Sequence, residues 1–256
     1  MTSTKPFSLE NKSIVITGAS SGIGKVTAIE CSKAGATLLL LARNEERLEQ
    51  TFRSLSPGNH RSFPVDLTRY DLLEAIINDF VNSSGKIDGL VHAAGAEMTV
   101  PFQMIRPEHY EKLFSVNVVS GFELARICAK KKYSDHEKGG AFVFISSIRA
   151  FFGQEGAIAY SASKGSLSAG IKSMALELAP KKIRVNAILP SIVKTEMTDS
   201  LFASVPEEVH QKMADAHPLG FGLPEDVAYA AVYLLSDAGR WMTGNNLVLD
   251  GGYSVR

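Results

Sequence analysis

The chain reads as a single α/β domain organised around a parallel sheet, and three observations carry that reading. Short apolar runs alternate with longer helical patterns along the whole of its 256 residues. Several runs are apolar at consecutive positions rather than at every second one, the pattern of strands covered on both faces. With 45% apolar residues the chain can bury one large core, and no composition shift, low-complexity segment or repeat beyond the alternation marks a domain boundary. Such a rhythm calls for a parallel sheet with right-handed crossovers.

The elements follow in order. A first strand over 13–17 runs into a glycine-rich turn and a helix over 22–34. The second strand, 37–42, holds the apolar run 38–42, and no apolar run in the chain is long enough to span a bilayer; a helix over 45–55 follows it. Strands at 61–65 and 89–92 are followed by helices at 69–82 and 107–132, and strands at 141–146 and 184–189 flank a helix at 156–180. A helix at 225–236 and a strand at 246–249 complete the pattern. One insertion, 191–224, interrupts it. Within it Val205-Pro206-Glu207-Glu208 has the Pro and acidic first turn of a helix start, and Met197, Leu201, Phe202, Val205, Val209 and Met213 recur at helical spacing. A connection of that length in a compact domain is usually functional, and it is read as a lid over a substrate pocket.

Charge and cysteine usage narrow the class. Lys plus Arg and Asp plus Glu number 27 each, so the chain lacks the basic footprint of a nucleic-acid binder. The runs Lys130-Lys131-Lys132 and Lys181-Lys182 fall late in helical segments, where they complement the helix dipole and solvate a surface. Cys31 and Cys128 are far apart with no CxxC or His-rich neighbour, which argues against a disulfide framework or a metal site and reads as two core residues. The segment 1–12 is polar and lacks the apolar stretch of a signal peptide. The expectation is a soluble, cytoplasmic protein without a membrane or nucleic-acid partner.

Two constellations carry chemistry. Gly18-Ala19-Ser20-Ser21-Gly22-Ile23-Gly24 follows the first strand and opens the first helix. Glycines there let the backbone approach a pyrophosphate, and the helix N-terminus offers free N–H groups and positive potential. The second strand ends Ala42-Arg43, where an NAD site would typically carry an acid for the ribose 2′-OH. Arginine can instead meet a 2′-phosphate, so NADP(H) is the expected cofactor. Asp66 closes the third strand, and either accepts from an adenine amine or caps the next helix. The second constellation is Tyr160-Ser161-Ala162-Ser163-Lys164, thirteen residues after Ser147. Four residues on a helix bring Tyr160 and Lys164 to one side, and a nearby ammonium favours the phenolate over a phenol whose ordinary pKa is about 10.

These residues, with Asn117, Pro190, Thr195 and the closing Asp250-Gly251-Gly252, resemble the short-chain dehydrogenase/reductase family across the chain from about Leu9 to Tyr253. The resemblance implies a single Rossmann-like, doubly wound domain with a seven-stranded parallel sheet, and a homotetramer with helices 107–132 and 156–180 between subunits. It implies that Tyr160 is the general acid–base and that Lys164 lowers its pKa and holds the nicotinamide ribose. It further implies that Ser147 bonds the substrate carbonyl and Asn117 helps hold a water in a relay to Lys164. The implied cofactor contacts are Gly18, Ser20, Ser21, Gly22, Ile23, Gly24, Arg43, Asp66, Leu67, Ala94, Gly95, Pro190, Val193 and Thr195, with Tyr160 and Lys164. Ser146 competes with Ser147, and the thirteen-residue offset favours Ser147.

Three positions depart from the family pattern. His92-Ala93-Ala94-Gly95 replaces Asn-Asn-Ala-Gly, so the link to the neighbouring strand must differ; Pro190-Ser191 replaces Pro-Gly; and Phe221 stands where an Arg is frequent. The layout is most similar to 3-oxoacyl-acyl-carrier-protein reductases, and other ketone, sugar-alcohol and steroid reductases share it. Between Ser147 and Tyr160, Arg149-Ala150-Phe151-Phe152 should border the substrate. Phe152 is expected in an apolar wall, and Arg149 either shapes the mouth or holds an anionic group. The substrate is thus a small carbonyl or alcohol with a moderately apolar body.

Overall fold

The computed structural model describes residues 5–202 and 205–255, without the side chains of Met197, Ser200 and Leu201; the lid positions Met197 and Leu201, and part of the polar segment 1–12, therefore lie outside the described residues. Seven parallel strands form one sheet in the order β3-β2-β1-β4-β5-β6-β7. They are β1 (Ser13–Thr17), β2 (Thr37–Ala42), β3 (Arg61–Pro64), β4 (Gly89–His92), β5 (Gly140–Ile145), β6 (Ile183–Pro190) and β7 (Asn246–Leu249). Residues 14 and 16 of β1 and 38 and 40 of β2 face one core cluster, while residues 15, 39 and 41 face the other. Two buried faces explain the consecutive apolar positions. The two edge strands are the exceptions: β3 pairs only with β2, with Phe63 44% exposed, and β7 only with β6, with Val248 39% exposed.

Helices cover both faces. α1 (Gly22–Lys33), α2 (Glu45–Arg53) and α9 (Pro224–Leu235) pack on one side. α3 (Tyr70–Ser84), α4 (Pro107–Phe114), α5 (Ser120–Cys128) and α6 (Ile158–Leu178) pack on the other. The insertion carries α7 (Glu196–Phe202) and α8 (Glu207–Asp215), the latter starting where Pro206-Glu207-Glu208 placed it.

The single helix expected over 107–132 is not continuous. A π-helical turn at Ser115–Val119 separates α4 from α5, widening the step between buried Leu113 and Val118 to five residues and turning Asn117 into the core. α5 ends at Cys128, so Lys130–Lys132 lie in the turns beyond it. There Lys130 pairs with Glu74 at 2.7 Å and Lys132 sits over the Tyr133 ring. Cys31 and Cys128 are fully buried, and burial pushes both thiols up to about 12. No helix among the described residues is long and apolar enough to cross a membrane.

Candidate active site

The strand order reverses between β1 and β4, so the carboxyl ends of these strands open a crevice where ligands of such sheets bind. The glycine turn lines it. Gly18 has φ +67°, and a Cβ there would lie 2.7 Å from the Ala94 nitrogen; a Cβ on Gly24 would run into the Gly18 carbonyl. Only glycine allows this backbone to close on itself at the start of α1. The N-cap Ser21 makes no side-chain cap bond, and the Gly22 N–H is met at 3.2 Å by the Glu196 carboxylate of α7.

A cavity of about 810 Å³ extends from this turn. Gly18, Ser20, Ser21, Gly22, Ile23, Gly24, Arg43, Asp66, Leu67, Ala94, Gly95 and Thr195 all line it, as does Arg47 of α2. Asp66 accepts from the Thr68 amide at 2.9 Å and hydroxyl at 2.8 Å; these bonds, more than the Arg43 charge, hold its carboxyl below the usual range. It therefore shapes the turn into α3, whose N-cap is Arg69, while bordering the cavity. Pro190 and Val193 line a smaller cavity, of about 150 Å³, together with Ser147, Tyr160, Lys164 and Thr195.

Here the proton-transfer residues converge. Lys164 is buried and donates to the Ile145 carbonyl at 2.8 Å, with Nζ 5.8 Å from the centre of the Tyr160 ring. Burial lowers the ammonium to about 8. Burial likewise dominates at Tyr160 and, with the Glu97 carboxylate, pushes the phenol up to about 12 against a Ser147 hydrogen bond and the Arg149 charge. The downward shift expected from Lys164 is not found. Loss of water outweighs the ammonium, whose proton is directed at a backbone carbonyl.

The two serines separate clearly. Ser146 is tied to the Lys164 carbonyl at 2.9 Å and to the Ser168 hydroxyl at 3.1 Å, a structural position. Ser147 accepts from the Arg149 amide at 3.2 Å and faces both cavities beside Tyr160. Asn117 receives the Ala96 amide at 2.8 Å and donates to the Ala96 carbonyl at 3.0 Å and to Ser163 at 2.9 Å. Its side chain thus clamps the loop after β4 onto the π-helical turn.

That loop carries the altered link. Thr17 Oγ1 lies 3.1 Å from the Ala94 amide, which donates to it, and 3.0 Å from His92 Nδ1. The hydroxyl bridges β1 to β4 where an asparagine would otherwise do so. His92 is fully buried; burial lowers it to about 3, so it stays neutral and structural.

A third cavity, of about 410 Å³, begins at Ser147 and Tyr160 and reaches the insertion. Arg149 lines it while donating to the Gly153 carbonyl at 3.2 Å and lying over the Tyr253 ring. Phe152 does not line it; it packs edge-on against Tyr253, which does. Phe151 is 58% exposed. The expected pair of adjacent aromatic wall residues is therefore replaced by a mixed lining that includes Glu97, Gln154 and Lys212. Phe221, at the position where an Arg is frequent in the family pattern, joins Phe202, His210 and His217 in an aromatic cluster over this end.

A family model described as enoyl-(acyl carrier protein) reductase matches residues 18–254. The chain is a short-chain dehydrogenase/reductase. Among relatives of this family, it is 32% identical to an NAD-dependent glycerol dehydrogenase of Listeria innocua, covering 98% of this chain and 97% of that one. It is 32% identical to a 3-oxoacyl-(acyl-carrier-protein) reductase of Thermotoga maritima, covering 96% and 99%. A solved 7α-hydroxysteroid dehydrogenase, complexed with NADH and 7-oxoglycochenodeoxycholic acid, superposes with TM-score 0.90 at 30% identity over 98% of both chains. As a short-chain dehydrogenase/reductase the protein is an oxidoreductase that interconverts carbonyl and alcohol with a nicotinamide cofactor.

Four residues of this reductase site escaped the sequence reading. Arg47 stands four after Arg43, a spacing that was available. Glu97, two after Gly95, gave no signal, because nothing local shows that the loop turns it towards Tyr160. Ser191 and His217 are 26 residues apart and meet only in the fold.

Proposed function

We propose that the protein is an NADPH-dependent carbonyl reductase in which Tyr160, Ser147 and Lys164 carry the proton chemistry. The observation that carries this reading is that the cofactor-side and substrate-side cavities share Ser147 and Tyr160 at their junction. The glycine cradle, the α1 N-terminus and Thr195 fit a dinucleotide, with the Glu196 carboxylate giving up the Gly22 N–H to the pyrophosphate. Arg43 and Arg47, with no carboxylate at the end of β2, support a 2′-phosphate over a bare ribose.

When bound, the nicotinamide supplies the hydride. Ser147 donates a hydrogen bond to the substrate oxygen and holds it beside Tyr160. The phenol, kept protonated by burial and by Glu97, delivers the proton as negative charge develops on that oxygen. Lys164, anchored on Ile145, would hold the ribose hydroxyls of the cofactor, and Asn117 fixes the loop and π-helical turn behind it. Val209, Lys212 and Met213 of α8 cover the substrate, consistent with a lid.

A 3-oxoacyl thioester remains a candidate substrate through the Thermotoga relative, but the glycerol and steroid relatives support other ketones equally. Ile148, Ile192, Val209, Met213 and Tyr253 line the cavity with Glu97, Gln154 and Lys212 among them, which supports a moderately apolar body carrying polar groups. A homotetramer in the reducing cytoplasm completes the reading, supported by exposed Val119, Ile158 and Leu176 on the interface helices and by two buried free thiols. The test is NADPH and NADH oxidation over a ketone panel that includes an acetoacetyl thioester. Turnover with NADPH, lost in Tyr160→Phe while NADPH binding persists, is expected; equal activity of the mutant would refute the assignment.

A further inference from the structure

Ser191 departs from the glycine that usually follows the proline of this turn, here Pro190, and its hydroxyl lies 2.7 Å from His217 Nε2. His217 Nδ1 lies 2.7 Å from the Met213 carbonyl. A carbonyl only accepts, so Nδ1 carries a proton; in the neutral ring Nε2 then accepts, and the Ser191 hydrogen is committed to it. The ring is 4% exposed and held between Phe221 and Tyr253, with centroids at 5.2 and 5.0 Å. The pair is thus fixed in orientation as well as in partner.

Ser191 borders both the cavity holding Lys164 and the larger one reaching α8. Since its hydrogen points to His217, the face it turns to those cavities is an oxygen lone pair. Resting on the reductase reading above, we propose that Ser191 and His217 form a substrate-recognition subsite that accepts a hydrogen bond from a hydroxyl carried next to the reacting carbonyl. The substrate class is then a hydroxy ketone, and the alcohol product a vicinal diol. Glu97, in the same two cavities, adds a second acceptor suited to a hydroxyl-rich molecule. A ketone without the hydroxyl leaves the lone pair of the half-buried Ser191 unpaired, which is how a site discriminates against a deoxy analogue.

The experiment compares matched ketones with NADPH: acetoin with 2-butanone, 2-hydroxycyclohexanone with cyclohexanone, and 2-hydroxyacetophenone with acetophenone. Wild type should favour the hydroxylated member by more than about tenfold in kcat/KM, mostly through KM. Ser191→Ala should reduce that ratio to below about threefold, and Ser191→Thr, which keeps the hydroxyl, should restore it. His217→Phe keeps the ring stack but not the nitrogen that orients Ser191, and should also lower the ratio. Equal rates on both members in wild type, or an unchanged ratio in Ser191→Ala, would overturn the subsite and leave the reductase reading standing. No turnover of any ketone, with NADPH bound, would overturn both.

Discussion

Thr17→Val removes one hydroxyl and keeps the shape of the side chain, so no cavity opens. In the native protein that oxygen receives the Ala94 amide at 3.1 Å and meets His92 Nδ1 at 3.0 Å, with Thr17 and His92 both fully buried. The substitution strands a backbone N–H and a ring nitrogen. Each buried polar group left unpaired costs about 1–3 kcal/mol, so with two such groups a loss of about 2–6 kcal/mol is expected. His92 cannot relieve the cost by charging, because burial holds it down to about 3. Urea unfolding followed by circular dichroism, at fixed protein concentration, should show the midpoint fall with little change in slope. Ser at position 17 keeps the hydroxyl and should stay much closer to wild type. Since Ala94 lines the cofactor cavity, NADPH affinity should fall in parallel. A Val variant within about 0.5 kcal/mol of wild type would refute the claim that this hydroxyl bridges the two strands.

Two further perturbations address charge. Glu97→Gln removes a carboxylate that, after burial, is the next cause keeping the Tyr160 phenol protonated. Alcohol oxidation needs the phenolate, so its rising alkaline limb should move to lower pH in the variant, while reduction, which needs the phenol, should begin to fail at lower pH; limbs that do not move would remove Glu97 from the site's electrostatics. Replacing Arg43 and Arg47 together with Ala should raise the KM for NADPH by about 10- to 100-fold and leave that for NADH nearly unchanged, given about 1.5–3 kcal/mol for a hydrogen bond to a charged group. Equal effects on both cofactors would show that the arginines do not read the 2′-phosphate.

Most of the sheet was legible because a strand buried on both faces writes itself as a consecutive apolar run. β1, β2 and β4 begin and end where that pattern placed them, and the edge strand β7 also keeps its expected bounds. β3 was shorter by one residue, since an edge strand needs only one covered face and stops at Pro64. The break at Ser115–Val119 was not legible, because a π-helical turn shifts a helical pattern by one residue and looks like noise in it. The aromatic pair at Phe151 and Phe152 misled for a related reason: composition shows that a segment is apolar, not which way each ring points.

By itself the sequence determined the parallel α/β architecture, the glycine turn at the first strand–helix junction and the Tyr160–Lys164 helical pair, all of which depend on neighbours within a few residues. Only the tertiary structure decided that Thr17 links β1 to β4, that Glu97 faces the phenol, that Tyr160 sits above its ordinary pKa and that Ser191 meets His217. Those features depend on burial and on contacts between segments distant in the chain, and neither leaves a local mark on the order of residues.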